Sequence, residues 1–371
     1  MKRSFLALFA GALALPIAAL ASLIPVAAHA ATLPYERISG PHAIDNLAVF
    51  FLHGRSQPGP VPLTLAEAMA AKVVTVFETG RVNQLVIQNT GDREVFVQAG
   101  DIVKGGRQDR VLAVSLVLAP KSAPMPIGVF CVEQGRWRKR GVESVRTFHS
   151  VGGVLPSRAA KIAMLGNGQP RRPVNPTRNL PYQQRAGGVL LRQHRSFEGG
   201  SQTRLWQSVG AMQDKLSRNL KVPVRSKTSS SSLPLSLETS ELVKARRRLI
   251  DALKAKTAGA SDIVGAVFVI NGRIQSADAY PSNGLFGKLW PRLLAAAATE
   301  AIAEKHQVPR KLPPSSKDVR AFLLAAQSGE RSVRKIDSGL IREAHDAKGK
   351  AVTIATRRSD GRVLHRTYVA Y

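Results

Sequence analysis

The stretch IVGAVFVINGRIQSADAY, residues 263–280, carries the strongest local signal in the chain. Asn271-Gly272 stands between two extended runs, and this pair is the preferred filling of a two-residue hairpin turn. An antiparallel strand pair is therefore expected, with helices on either side. Upstream, LETSELVKARRRLIDALKAK turns Leu242, Leu249, Ile250 and Leu253 to one face, with Thr239 or Ser240 as cap. Before it, TRLWQSVGAMQDKLSRNL repeats Leu205, Val209, Met212, Leu216 and Leu220 at helical spacing, with Trp206 beside the stripe as a core anchor. Downstream, WPRLLAAAATEAIAEKH reads as a helix that tolerates Pro291 only in its first turn. SKDVRAFLLAAQ adds a short helix, and AVTIATRR and RVLHRTYVAY add strands joined at Ser359-Asp360-Gly361.

The N-terminal half is richer in strands. LAVFFLHG and KVVTVFETG are apolar extended runs around a helix-forming LTLAEAMAA. NQLVIQNTGDREVFVQAGDIV alternates on both sides of Thr90-Gly91-Asp92 and predicts a hairpin, and DRVLAVSLVLAP and MPIGVFCVE supply two further strands. Strands and helices mix without the regular alternation of a doubly wound sheet. The expected class is α+β, with an antiparallel sheet-rich N-terminal unit, packed helices and a C-terminal unit containing the hairpin.

Residues 1–30 begin with Lys2 and Arg3, run through an apolar stretch interrupted by Pro16 and Pro25, and end on Ala28-His29-Ala30. That is the pattern of a secretory signal cleaved after Ala30, which implies an exported protein, periplasmic or extracellular, with no spanning segment thereafter; the alternative is an uncleaved anchor, which the length of the apolar stretch allows and the two prolines disfavour. Cys131 is the only cysteine, so no internal disulfide can form and the fold must be held by its core or by a partner. Without Lys2 and Arg3 the formal charge of +29 becomes +27, which predicts attraction to anionic surfaces. The excess is concentrated: residues 136–228 hold 19 Lys or Arg against 3 Asp or Glu. The expected division is a sheet-rich half over 31–137, a basic Pro- and Gly-rich insert, partly flexible, over 138–204, and a second half of the same domain over 205–371. SKTSSSS, ending at Ser232, reads as a linker or mobile loop.

Two short stretches concentrate recognition chemistry. In GGRQDR, Gly105 and Gly106 permit close backbone approach, Arg107 and Arg110 offer forked donors, and Gln108 and Asp109 can bond hydroxyls or orient an arginine. The competing reading is a turn in which Asp109 pairs with an arginine to hold two strands. No P-loop spacing is present. In CVEQGRW, Cys131 and Arg136 are spaced as in the anion loops of rhodanese-like and phosphatase-like enzymes, but Glu133 would put a negative charge inside such a loop. Cys131 is better read as a small buried hydrophobe, leaving Glu133, Arg136 and Trp137 as a carboxylate, a guanidinium and a stacking face, with Glu133 at a pocket rim. His42, His53, His149, His194, His306, His345 and His365 lack metal-ligand spacing, so zinc chemistry is not expected. His365 reads as a paired strand residue rather than an acid or base.

QAGDIVKGGRQDR, CVEQGRW, LWQSV, GAVFVINGRIQSADAY leading into LFGKLW, and DGRVLHRTYV together resemble the ARG-and-rhodanese-phosphatase-superfamily-associated protein domain, type 1. The resemblance runs from about residue 35 to the end, and GGRQDR and CVEQGRW are its most specific parts. The family is largely of unknown function; its name implies a setting of nucleotide-derived or phosphorylated ligands and assigns no activity. Two expectations follow. One is a small-molecule site for a polar or phosphorylated ligand, built from Arg107, Gln108, Asp109, Arg110, Glu133, Arg136 and Trp137. The alternative is a non-enzymatic basic envelope or interaction protein that binds anionic surfaces. No catalytic residue, cofactor or metal is assigned. Specific nucleic-acid binding is not expected, because the basic stretch has neither RNA-recognition aromatics nor zinc-finger spacing.

Overall fold

A computed structural model describes residues 33–165, 200–305, 312–337 and 339–371. The leader expected over 1–30 and the stretch 166–199 of the basic insert lie outside the described residues. The Asn271-Gly272 turn joins β12 (Ile263–Ile270) to β13 (Arg273–Ala279). Both turn residues take positive φ, 52° and 74°, the combination this turn requires and a β-branched residue resists. The hairpin lies inside an all-antiparallel eight-stranded sheet of order β1-β2-β12-β13-β17-β16-β15-β14. Its other members are β1 (Arg37–Ile44), β2 (Leu47–His53), β14 (Glu330–Lys335), β15 (Leu340–Ala347), β16 (Ala351–Arg358) and β17 (Val363–Ala370).

Every residue of β2 and β12 is buried, because helices cover both faces of the sheet there. On one face Val49, Phe51, Ala266 and Phe268 pack with α3 (Ser201–Leu220), α5 (Ser240–Lys254) and α6 (Asn283–Ala303). On the other, Phe50, Val267 and Tyr368 pack with Val319 and Leu323 of α7 (Ser316–Gln327). Each fully buried phenylalanine stabilises this core by about 1.5–3 kcal/mol relative to exposure.

A second sheet has the order β11-β7-β8-β10-β5-β4. It comprises β4 (Val74–Arg81), β5 (Gln84–Asn89), β7 (Asp101–Gly105), β8 (Arg110–Leu112), β10 (Met125–Cys131) and β11 (Phe148–Val154). A bridge between Phe77 of β4 and Thr147 just before β11 brings its two ends together, which leaves little unpaired edge. A three-stranded sheet, β3 (Leu63–Thr64), β6 (Val95–Val97) and β9 (Leu116–Leu118), shares its core together with α1 (Leu65–Ala70).

The structure departs from the sequence expectations at four places. β5 pairs with β4 and β10, and β6 with β3 and β9, so Thr90-Gly91-Asp92 is a crossing between sheets and not a hairpin turn. Asn89 redirects the chain there, its Nδ2 donating to the Arg93 and Ala119 carbonyls at 2.8 and 2.9 Å. Pro291 lies mid-helix, because α6 begins at Asn283 behind a Ser282 cap. Burial of Leu285, Phe286 and Leu289 outweighs the hydrogen bond that proline cannot donate. The segment 138–165 is built into the fold through β11 and α2 (Arg158–Leu165), so the insert is narrower than expected. SKTSSSS is fixed by side-chain hydrogen bonds rather than free, and Ser232 caps α4 (Leu233–Leu237).

Candidate functional site

Strand pairing brings the two recognition stretches together. GGRQDR forms the turn between β7 and β8, and β8 pairs with β10 so that Arg110 lies opposite Cys131. The chain leaving β10 as CVEQGRW therefore starts beside GGRQDR. The Asp109 N–H donates to Glu133 Oε2 at 3.0 Å, and the Val132 N–H donates to the Asp109 carbonyl at 3.0 Å.

Asp109 and Glu133 are both wholly buried, and protein donors satisfy them. Arg140 grips Asp109 with two parallel bonds, Nη1 to Oδ2 at 2.8 Å and Nη2 to Oδ1 at 2.9 Å. The Gly105 N–H and the Ser232 hydroxyl also donate to Asp109, at 3.1 and 2.6 Å. Glu133 accepts from Arg136 Nε at 2.7 Å, from Arg140 Nη1 at 3.2 Å and from the Ser229 hydroxyl at 2.5 Å. Burial would raise the Glu133 pKa, but the bonds from Arg136, Ser229 and the Asp109 amide hold it below the usual value. Burial opposes the charge on Arg140, yet the paired Asp109 raises its pKa. Glu133 was expected at a pocket rim; it lies inside this network instead, because two guanidiniums compensate its charge there. Arg140 lies in the stretch expected as an insert and Ser229 and Ser232 in the one expected as a linker, yet all three belong to this network. A cue was present in Ser232-Leu233-Pro234, a cap residue followed by proline in a first helical turn.

The remaining residues of the two stretches surround Trp137. Its ring lies 5.6 Å from the Arg107 guanidinium and 5.5 Å from that of Arg110. Arg110 is fully buried; Gln108 Oε1 and the Asp109 carbonyl approach its Nη1 at only 3.4 and 3.5 Å, and Nε and Nη2 have no hydrogen-bond partner. Gly106 has φ 54°, and a Cβ there would fall 2.2 Å from the Phe148 ring, so packing alone demands this glycine. Cys131 is buried, its Sγ–H donating to the Val82 carbonyl, and burial pushes the thiol pKa up.

Above the network the loops 134–141 and 227–231 enclose an open cleft of about 750 Å³. Two bonds link the loops: the Gln134 N–H to the Ser231 hydroxyl at 3.0 Å, and that hydroxyl to the Gln134 carbonyl at 2.7 Å. Arg136, Trp137 and Arg140 line the cleft, as do the exposed Arg138, Lys139 and Lys227. The side chains of these last three make no hydrogen bond or ion pair among the described residues, nor do the hydroxyls of Thr228 and Ser230. No cluster of three or more His, Cys, Asp or Glu among the described residues could hold a metal ion. No described helix is long and apolar enough to cross a membrane.

The architecture is α+β, with GGRQDR and CVEQGRW set at the ends of β7, β8 and β10. Residues 36–369 match the ARG and Rhodanese-Phosphatase-superfamily-associated Protein domain, and the chain belongs to that family. No curated protein and no solved structure matches it.

Proposed function

We propose that the protein binds a small anionic ligand, phosphorylated or nucleotide-derived, in the cleft between the loops 134–141 and 227–231. One observation carries this reading: Arg138, Lys139 and Lys227 converge on that cleft without carboxylate partners, beside the free hydroxyls of Thr228 and Ser230. Unpaired cations next to hydroxyl donors suit a phosphate, which accepts several hydrogen bonds and at least one charge. The Asp109–Glu133–Arg136–Arg140 network serves as the frame, joining the β7–β8 turn, the loop after β10 and the serine segment before α4. Trp137, which lines the cleft and lies beside Arg107 and Arg110, offers a stacking face for a base. The leader read over residues 1–30 supports an exported binding protein.

Mass spectrometry of small molecules that co-purify with the protein from its own host tests this reading. A phosphorylated compound retained by the natural chain and lost from Arg138→Ala/Lys227→Ala supports it. Equal retention by the double variant overturns it. Binding to anionic surfaces in general, the competing reading, would be shared among many exposed cations and would fall steeply with salt without depending on these two.

A further inference from the structure

A second constellation lies apart from the cleft, where the large sheet meets the three-stranded one. Ser115, just before β9, places its Oγ 2.9 Å from Nδ1 of His365 on β17, and Nε2 of His365 is 3.0 Å from Oδ1 of Asp278 on β13. All three side chains are buried. Burial would raise the Asp278 pKa, but Lys161 and His365 hold it down at about 2, so its carboxylate can only accept. In the tautomer that carries its proton on Nε2, the ring donates to Asp278, and the lone pair of Nδ1 accepts the Ser115 hydroxyl. The Ala99 N–H donates to the same Oγ at 2.9 Å and fixes its position. The His365 ring cannot turn freely: Tyr280 stacks on it at 5.0 Å and Phe96 meets it edge-on at 5.9 Å.

These groups line a cavity of about 50 Å³. That is room for on the order of three or four waters, or for an acyl group of two or three heavy atoms. Apolar walls from Val114, Leu155 and Met164 suit such a group. Two cations line the same cavity. Lys161 stands 3.8 Å from Asp278, whereas Arg342, half-buried, has no hydrogen bond or ion pair among the described residues. An unpartnered guanidinium in an enclosed space can neutralise an oxyanion.

We infer that Ser115, His365 and Asp278 form a nucleophilic relay that hydrolyses a short-chain acyl ester. Ser115 Oγ bonds to the acyl carbon as its proton passes to His365 Nδ1. The resulting alkoxide collapses, the carbon–oxygen bond to the alcohol breaks, and the alcohol leaves with the proton held by His365. Water then attacks the acyl-serine, gives its proton to Nδ1, and the carboxylic acid departs as that proton returns to Oγ. Ser115 and His365 are the catalytic residues, and Asp278 positions the ring. The inference is independent of the anionic cleft.

The full-length chain exposed to a small fluorophosphonate, followed by peptide mass spectrometry, reads the relay directly. One adduct per folded chain, on Ser115 and absent in urea, is the expected result. The labelling rate should fall roughly 100-fold or more in His365→Gln and in Asp278→Asn, each first shown to melt cooperatively like the natural chain. A purely structural relay would leave Ser115 unlabelled in the natural protein, and that result, which requires no variant to fold, overturns the inference. Labelling that proceeds equally fast in a folded His365→Gln or Asp278→Asn overturns it as well.

Discussion

Asp109 accepts from a backbone amide, a serine hydroxyl and both ends of a guanidinium, all shielded from water. Replacing it with Asn keeps the shape but leaves Arg140 without its bidentate partner. Breaking a buried pair by removing one member costs about 3–5 kcal/mol, whereas an exposed pair is worth about 1 kcal/mol or less. Asp109→Asn should therefore lower the unfolding free energy by about 3 kcal/mol in urea titrations. A loss under about 1 kcal/mol would mean that the network is not the frame described above. At this scale the sequence was informative about which residues meet and silent about how they are used. GGRQDR and CVEQGRW display the right residue types, but Arg140 and Ser232, from 31 and 123 positions away, saturate Asp109. No local pattern reports a partner so distant.

The longest of the described helices carries a cost inside it. Glu300, buried in α6, has its pKa pushed up to about 7 by burial, against the opposing pull of the Arg158 amide and Lys161. Because the folded pKa lies above the unfolded value of 4.5, the unfolded chain loses this proton first as pH rises. The contribution is fully present below pH 4.5 and is lost as pH climbs through 7, amounting to a few kcal/mol. Glu300→Gln can still accept the Arg158 N–H and should flatten that dependence. The difference in stability between variant and natural protein, measured at pH 5 and pH 8, should favour the variant more at pH 8; an unchanged difference would contradict the assignment. Elements with strong periodicity or turn chemistry were legible: β12, β13, α3, α5 and α7 fall where the spacing puts them. β14, with every residue exposed, β15, and the Gly-rich β11 carry no such signal, since sheet neighbours and not their own pattern make them strands. Likewise the apolar alternation of β5 and β6 is real, but pairing partners are a property of the whole sheet, which a two-strand window cannot contain.

At the scale of the whole molecule, a formal charge of +29 attracts anions in general, so a local site must be told apart from that background. The class α+β and the mixed strand-and-helix order followed from the sequence, as did the concentration of positive charge after Arg136. The cleft did not, because it forms where a segment read as an insert meets one read as a linker. The direct test is a calorimetric titration with inorganic pyrophosphate of three chains at one ionic strength. These are the natural protein, Arg138→Ala/Lys139→Ala/Lys227→Ala, and Lys317→Ala/Arg320→Ala, whose two cations are exposed on α7 outside the lining of the cleft. The account predicts one site that weakens at least about tenfold in the cleft variant, or about 1.4 kcal/mol, and is unchanged in the α7 variant. Equal weakening in both variants, or none in either, would contradict it.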